Sequence, residues 1–264
     1  MDPTPTIDLR GLLTAAAEDG EVRPSTTALL TDAKTLMQIS RGSGISADAF
    51  LQSEALFVTL LIDDSRSIED GGNSEAVCQG HNGILDALLG ASASRRARTI
   101  VSTRLLNGGV VSPYVMLEQA VRLENGKNYV ADGITPFFDQ AMVTEGSVLA
   151  KVQEFEQAGI TVRTWTGWFT DGCDYGSKNA KASDVAQLVG TLNGEQHQHF
   201  AMGVSDGRTD FNAVFRSMGV HPDKIRTSTN DPKSIRAMMR EASQSATAMN
   251  QPSAAGGGLG GFGA

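Results

Sequence analysis

The sequence predicts an α/β fold: a doubly wound, mostly parallel sheet of six strands, with one antiparallel edge strand and helices on both faces. Three observations carry this. Segments of strand and helix character alternate between residues 25 and 249, the order in which crossover helices join parallel strands. The run Val58-Thr59-Leu60-Leu61-Ile62 is continuously apolar apart from one threonine, which suits a strand covered on both faces rather than one facing water. One step, Asn107-Gly108-Gly109, has the residues of a hairpin turn, because Asn and Gly tolerate positive φ.

Residues 1–54 read as an N-terminal extension. A short helix passes through Leu9, Leu12, Leu13 and Ala16. A second, capped by Ser25, carries Leu29, Leu30, Ala33, Leu36 and Met37 at helical spacing and ends near Gly42 and Gly44. The first strand follows at 56–62, then a helix over 73–89 with Val77, Ile84, Leu85 and Leu88 on one face and Gly90 as its stop. Residues 99–105 form the next strand. Residues 110–117 return beside it, and Pro113 marks them as an edge. In Gly133-Ile134-Thr135-Pro136, Thr135 is expected to cap a long helix and Pro136 to take its first position. That helix runs to Gly159, with Gly146 as an expected bend. A second central strand spans 160–169 and ends in Thr170-Asp171-Gly172. A helix at 183–192, a strand at 200–204, a helix at 210–218, a short strand at 225–228 and a helix at 232–248 complete a main domain of residues 55–249. Residues 250–264 are Gly-rich and read as a flexible tail, in which only Leu259 and Phe262 offer apolar anchors.

Composition narrows the function. The chain of 264 residues carries a net charge of −8 and has no basic block, so nucleic acid is excluded as a first partner. The one basic patch, Arg95-Arg96-Ala97-Arg98, reads as a solvated helix end. Cys78 and Cys173 form no CxxC and imply neither a disulfide framework nor zinc. The first residues lack the basic and apolar regions of a signal peptide. No apolar run approaches the ~18 residues of a membrane span, and the expected setting is soluble and cytoplasmic. His197 and His199 form a His-x-His pair without a third soft ligand, and with His81 they read as core or surface residues. Residues 172–178 fail the spacing of a phosphate-binding loop. Trp165 and Trp168 read as core.

The chemistry gathers at strand ends. Asp63, Ser65 and Ser67 leave the first strand at alternate positions, Thr135 lies in the next informative loop, and Asp171 ends the second central strand. If those strands flank the reversal point of the sheet, the three loops share one crevice. Two carboxylates and three hydroxyls make a hard-oxygen set suited to Mg²⁺, Mn²⁺ or Ca²⁺.

The combination Asp63-x-Ser65-x-Ser67, then Thr135 in Gly-Ile-Thr-Pro, then Asp171 in Thr-Asp-Gly resembles the metal-ion-dependent adhesion site of von Willebrand factor A domains. The resemblance covers roughly residues 55–245. It implies strand order 3-2-1-4-5-6 with the third strand antiparallel, and a non-enzymatic role in which the ion binds an Asp or Glu of a partner protein. It is similar to bacterial cytoplasmic adaptors of stress-response or phage-defence systems, or partners of AAA+ ATPases. The family commonly has Gly between its two serines, where this chain has Arg66. Arg66 is expected to point outward and read a second acidic group on the partner. Asp64, Arg66, Asp174 and Tyr175 form the expected rim. Two other readings use the same residues: a metal-assisted phosphoester hydrolase, and a structural subunit whose site is filled from within its assembly.

Overall fold

A computed structural model describes residues 8–18, 22–91, 98–107, 109–192, 194 and 196–249. The Gly-rich tail, Arg95 to Ala97 of the basic patch, and Gly108 of the turn lie outside the described residues. Three helices come first: α1 (Leu9–Glu18), α2 (Pro24–Leu30) and α3 (Ala33–Arg41). Then follow β1 (Glu54–Ile62), α4 (Arg66–Asp70), α5 (Ser74–Gly90), β2 (Arg98–Leu105), β3 (Gly109–Met116) and α6 (Phe137–Gln157). The second half comprises β4 (Thr161–Thr170), α7 (Ala182–Thr191), β5 (His197–Val204), α8 (Phe211–Ser217), β6 (Ile225–Ser228) and α9 (Pro232–Ala248).

The six strands lie in the order β3-β2-β1-β4-β5-β6. β3 runs antiparallel to β2, and every other pairing is parallel. β1 is central and buried along its length after Glu54. Its side chains alternate between two cores, as strand geometry requires. Ala55, Phe57 and Leu61 join the core under α6, α7 and α8, while Leu56, Val58, Leu60 and Ile62 join the core under α5 and α9. The Phe57 ring sits edge-on to Phe155 of α6 at 4.9 Å and to Tyr114 of β3 at 5.3 Å, a geometry favoured by the ring quadrupole. Crossovers leave β1 and β4 toward opposite sides of the sheet, and a crevice opens between the carboxyl ends of these two neighbours.

Three local expectations are corrected. The single helix expected over 25–42 is two, because the Asp32 side chain accepts from the backbone N–H groups of Lys34 and Thr35 and starts a new helix. The first of the two starts at Pro24 after Arg23, without a Ser25 cap. Gly146 does not end or interrupt α6; it admits Leu30, whose Cδ2 would lie 2.5 Å from an added Cβ. The extension thus packs on α6: Leu13, Ala16, Leu30 and Ile39 share one core with Leu149 and Phe155. At the sheet edges, β3 contains Pro113 and register shifts against β2, and β6 is four residues long. Among the described residues no helix is long and apolar enough to cross a membrane.

Candidate metal centre

β1 delivers Asp63, Asp64 and Ser65 to its carboxyl end, and the short α4 that starts at Arg66 turns Ser67 back toward the same point. Backbone hydrogen bonds lace the three site loops together. Arg66 N–H donates to Gly133 O at 3.0 Å and Gly133 N–H to Asp64 O at 3.3 Å, while Thr135 and Tyr175 exchange two bonds of 3.2 and 2.7 Å. The sequence-predicted set is thereby brought to one place. The Ser65 and Ser67 hydroxyls are 3.0 Å apart, and both donate to Asp171 Oδ1, at 3.4 and 2.7 Å. Thr135 is buried, and its hydroxyl lies beside Gly172, where an added Cβ would be 3.9 Å away. The Thr135 hydroxyl makes no hydrogen bond among the described residues. Asp63 Oδ1 accepts the Ser65 N–H at 2.8 Å and Oδ2 the Thr170 hydroxyl at 2.6 Å.

The electrostatics are those of a site lacking positive charge. Asp63 and Asp171 are 0% and 4% exposed, and neither forms an ion pair with Lys or Arg among the described residues. Burial, and next the charge of Asp171, push Asp63 up to about 6, although bonds from Thr170 and Ser65 oppose the rise. Burial also raises Asp171, against the pull of the Ser67 and Ser65 hydroxyls, with a smaller contribution from Asp206. Buried carboxylates without a counter-charge are costly, and a divalent cation would offset both. The oxygens have suitable spacing: neighbouring ligands of an octahedral Mg²⁺ with bonds near ~2.1 Å are about 3 Å apart, close to the separations among Ser65, Ser67 and Asp171. Among the described residues no three His, Cys, Asp or Glu side chains are grouped to hold a metal, so a cation here depends on the hydroxyls.

Of the four residues expected on the rim, Asp64 is buried, Asp174 and Arg66 are engaged within the chain, and Tyr175 is exposed. Asp64 is 2% exposed, and its Oδ1 accepts both the backbone N–H and the side-chain amide of Asn107, at 2.8 and 2.9 Å. It ties down the β2–β3 turn and is not on the rim, because alternation along a strand end fixes direction and not depth. Asp174 caps α6 by accepting the Phe138 N–H at 2.9 Å, and Ser177 accepts the Asp139 N–H at 3.0 Å. The cap expected from Thr135 is thus supplied by another loop, α6 begins at Phe137, and Pro136 stands just before it. Arg66 does point outward, but its guanidinium is engaged within the chain, with Asp132 at 2.6 Å and Asp70 at 3.7 Å. Tyr175 is 74% exposed, and Ile134 nearby is exposed as well.

Four supporting residues escaped the sequence reading. Thr170 orients Asp63, Asn107 holds Asp64, the buried Tyr129 hydroxyl donates to Asp63 O at 2.7 Å, and Asp206 adds negative charge near Asp171. Thr170 stands next to Asp171 in Thr170-Asp171-Gly172, and Asn107 opens the hairpin-turn motif, which gives no hint of its bond to Asp64; Tyr129 carries no motif signal. The histidines are structural. His199 bonds the buried Glu145 at 2.9 Å, which also accepts from Trp168 at 3.1 Å, and His81 lies between Thr103 and Asn82.

No protein-family model and no curated protein matches the sequence. Solved structures do match. The pilus adhesin SpaC of Lactobacillus rhamnosus GG aligns over 74% of this chain with a TM-score of 0.52 and 10% identity, and the chain spans 31% of the adhesin. A von Willebrand factor type A protein from Catenulispora acidiphila aligns over 74% of this chain and 43% of its own, with a TM-score of 0.45 and 16% identity. The SpRpn10 VWA domain aligns over 71% of this chain and 94% of its own, with a TM-score of 0.46 and 9% identity. At these identities the likeness concerns the fold. The strand order and the antiparallel β3 are those of a von Willebrand factor A-like fold, and the likeness to SpaC agrees with it.

Proposed function

We propose that the chain is a non-enzymatic, metal-dependent protein-binding module. In this reading Asp63, Ser65, Ser67, Thr135 and Asp171 hold a divalent cation, Mg²⁺ first among Mg²⁺, Mn²⁺ and Ca²⁺. The bound cation supplies a hard centre that takes a carboxylate oxygen. Three of the five donors are neutral hydroxyls, which leaves the set able to accept an Asp or Glu side chain of a partner. Tyr175 and Ile134 offer that partner an apolar ledge. The observation that supports the reading most is the pair of buried carboxylates, without a Lys or Arg partner among the described residues, converging with serine hydroxyls on one point.

Docking is favoured over hydrolysis because the acids available as general bases are already occupied: Asp64 by Asn107, and Asp174 by the start of α6. Arg66, the nearest candidate for a phosphate clamp, is held by Asp132. The setting we assign is a cytoplasmic adaptor, of the kind found in bacterial stress-response or phage-defence systems or beside an AAA+ ATPase.

The test has two parts. Calorimetric titration with Mg²⁺ and Mn²⁺ should show one site, weakened at least tenfold in Ser67→Ala and in Thr135→Ala. A hundredfold excess of cation over Kd should stabilise the wild type by about 2.7 kcal/mol. Proteins captured on the immobilised chain in magnesium should be released by chelator and not be retained by Asp63→Ala. Undiminished retention in both cases would overturn the reading.

A further inference from the structure

A second buried charge lies outside the metal centre, with the opposite sign. Arg104 of β2 is 2% exposed. Its Nη2 donates to Gln38 O at 2.6 Å and to the Ser147 hydroxyl at 3.4 Å. Gln38 lies in the last turns of α3, so the negative end of that helix answers one side of the guanidinium. Gly42 allows the approach, since an added Cβ would lie 2.7 Å from Nη2. The remaining donors, on Nε and Nη1, have no acceptor among the described residues, and Arg104 has no carboxylate partner there. Burial pushes its pKa down to about 10, with the Tyr114 phenol opposing the fall. A largely buried guanidinium without a carboxylate partner is expensive to keep.

Arg104 lines a cavity of about 410 Å³ between α3, the β2–β3 turn and the first turn of α6. Arg41, Gln38, Gln140 and Asn107 also line it, and no Asp or Glu does so among the described residues. Arg41 is exposed, and its guanidinium contacts only Met37 Sδ, without an ion pair among the described residues. Two arginines and no acid in one cavity, on a chain of net charge −8, make a local surplus of positive charge. The cavity adjoins the metal centre through Asn107. That side chain lines the cavity while its amide donates to Asp64 Oδ1 and to the carbonyl of Ile134, the residue before Thr135.

We propose that this cavity seats a second carboxylate, an Asp or Glu side chain of the partner whose first carboxylate meets the metal centre; the inference rests on the docking reading above. The Arg104 fork receives it from below and Arg41 from the rim, with the Gln38 and Gln140 amides as further donors. A planar guanidinium matches a carboxylate in two parallel hydrogen bonds. The partner is thus an acidic segment with two carboxylates placed to span Asn107.

The full chain, labelled with ¹⁵N and kept in metal-stripped buffer, is titrated with a blocked tetraglutamate peptide, with succinate and with inorganic phosphate. The peptide should shift the Arg104 Nε–H resonance, and calorimetry should show it binding at least tenfold more tightly than either small anion. Arg41→Ala, an exposed change, should weaken the peptide at least fivefold. An unmoved Arg104 resonance, or equal binding by Arg41→Ala, would overturn the inference. Succinate binding as tightly as the peptide would overturn the assignment to a partner segment, and tighter phosphate binding would overturn the carboxylate. Because no cation is present, failure here leaves cation-dependent capture untouched. Loss of that capture with peptide binding intact strikes the docking reading instead.

Discussion

Lys151 of α6, paired with the half-buried Glu154, and Asp63 with Asp171 at the strand ends are buried charges, yet they are completed differently. The Lys151 ammonium donates to Glu154 Oε2 at 2.7 Å and to Ile45 O at 2.6 Å, and the other Glu154 oxygen accepts the Ala47 N–H at 2.8 Å. Each charge has an opposite charge or a hydrogen-bond partner inside the chain. The network fastens the segment before β1 to α6. Asp63 and Asp171 have hydroxyl and backbone donors but no Lys or Arg partner among the described residues. A closed network acts as a fastening; an open one creates a demand for something from outside.

The largest expected effect breaks the closed network. Lys151→Ala leaves Glu154 without its cation and Ile45 O without its donor, and should cost about 3 kcal/mol or more in urea unfolding, as removal of one partner of a buried pair does. The next concerns a buried group that is complete only when neutral. His81 is fully buried between Thr103 and Asn82, and burial holds its pKa down to about 4 from 6.5. The unfolded chain therefore takes up the proton first. The stability is fully present above pH 6.5 and is lost as pH falls toward 4, up to about 3 kcal/mol for this residue at 1.36 kcal/mol per pKa unit. The difference in unfolding free energy between wild type and His81→Gln should change by that amount across the window. The smallest effect sharpens the contrast. Asp171→Asn keeps the Oδ1 acceptor but removes a buried charge. Metal-free, its stability should match the wild type or exceed it by about 1 kcal/mol, while stabilisation by Mg²⁺ disappears. A loss as large as that of Lys151→Ala would mean that the metal centre is also a closed network.

The central fold was legible because β1 is apolar after Glu54 apart from Thr59 and because Asn107 and Gly109 mark a turn. The candidate donors were legible because Asp63, Ser65 and Ser67 follow a strand at fixed spacing, with Thr135 and Asp171 next to Pro and Gly. Side-chain competition was harder to read. Asp32 divides a helix that periodicity alone joins, and Asp174 takes a capping role that Thr135 fits equally well by type. Depth was harder still. Asp64 and Arg66 are neighbours in an ordinary polar run, yet one is buried against Asn107 and the other reaches Asp132 across the surface. Arg104 gave no signal at all, since an arginine in a strand is unremarkable until its burial is known.

The two margins of the sheet bear on how the molecule meets other chains. β3 is interrupted by Pro113, which lacks an N–H, and slips register twice against β2; β6 offers four residues. Neither gives an incoming strand a long, regular row of backbone donors and acceptors, and such interruptions are how native sheets resist lengthening by another copy. The sheet can thus hold its site loops at high local concentration on a scaffold or surface without inviting strand-to-strand aggregation.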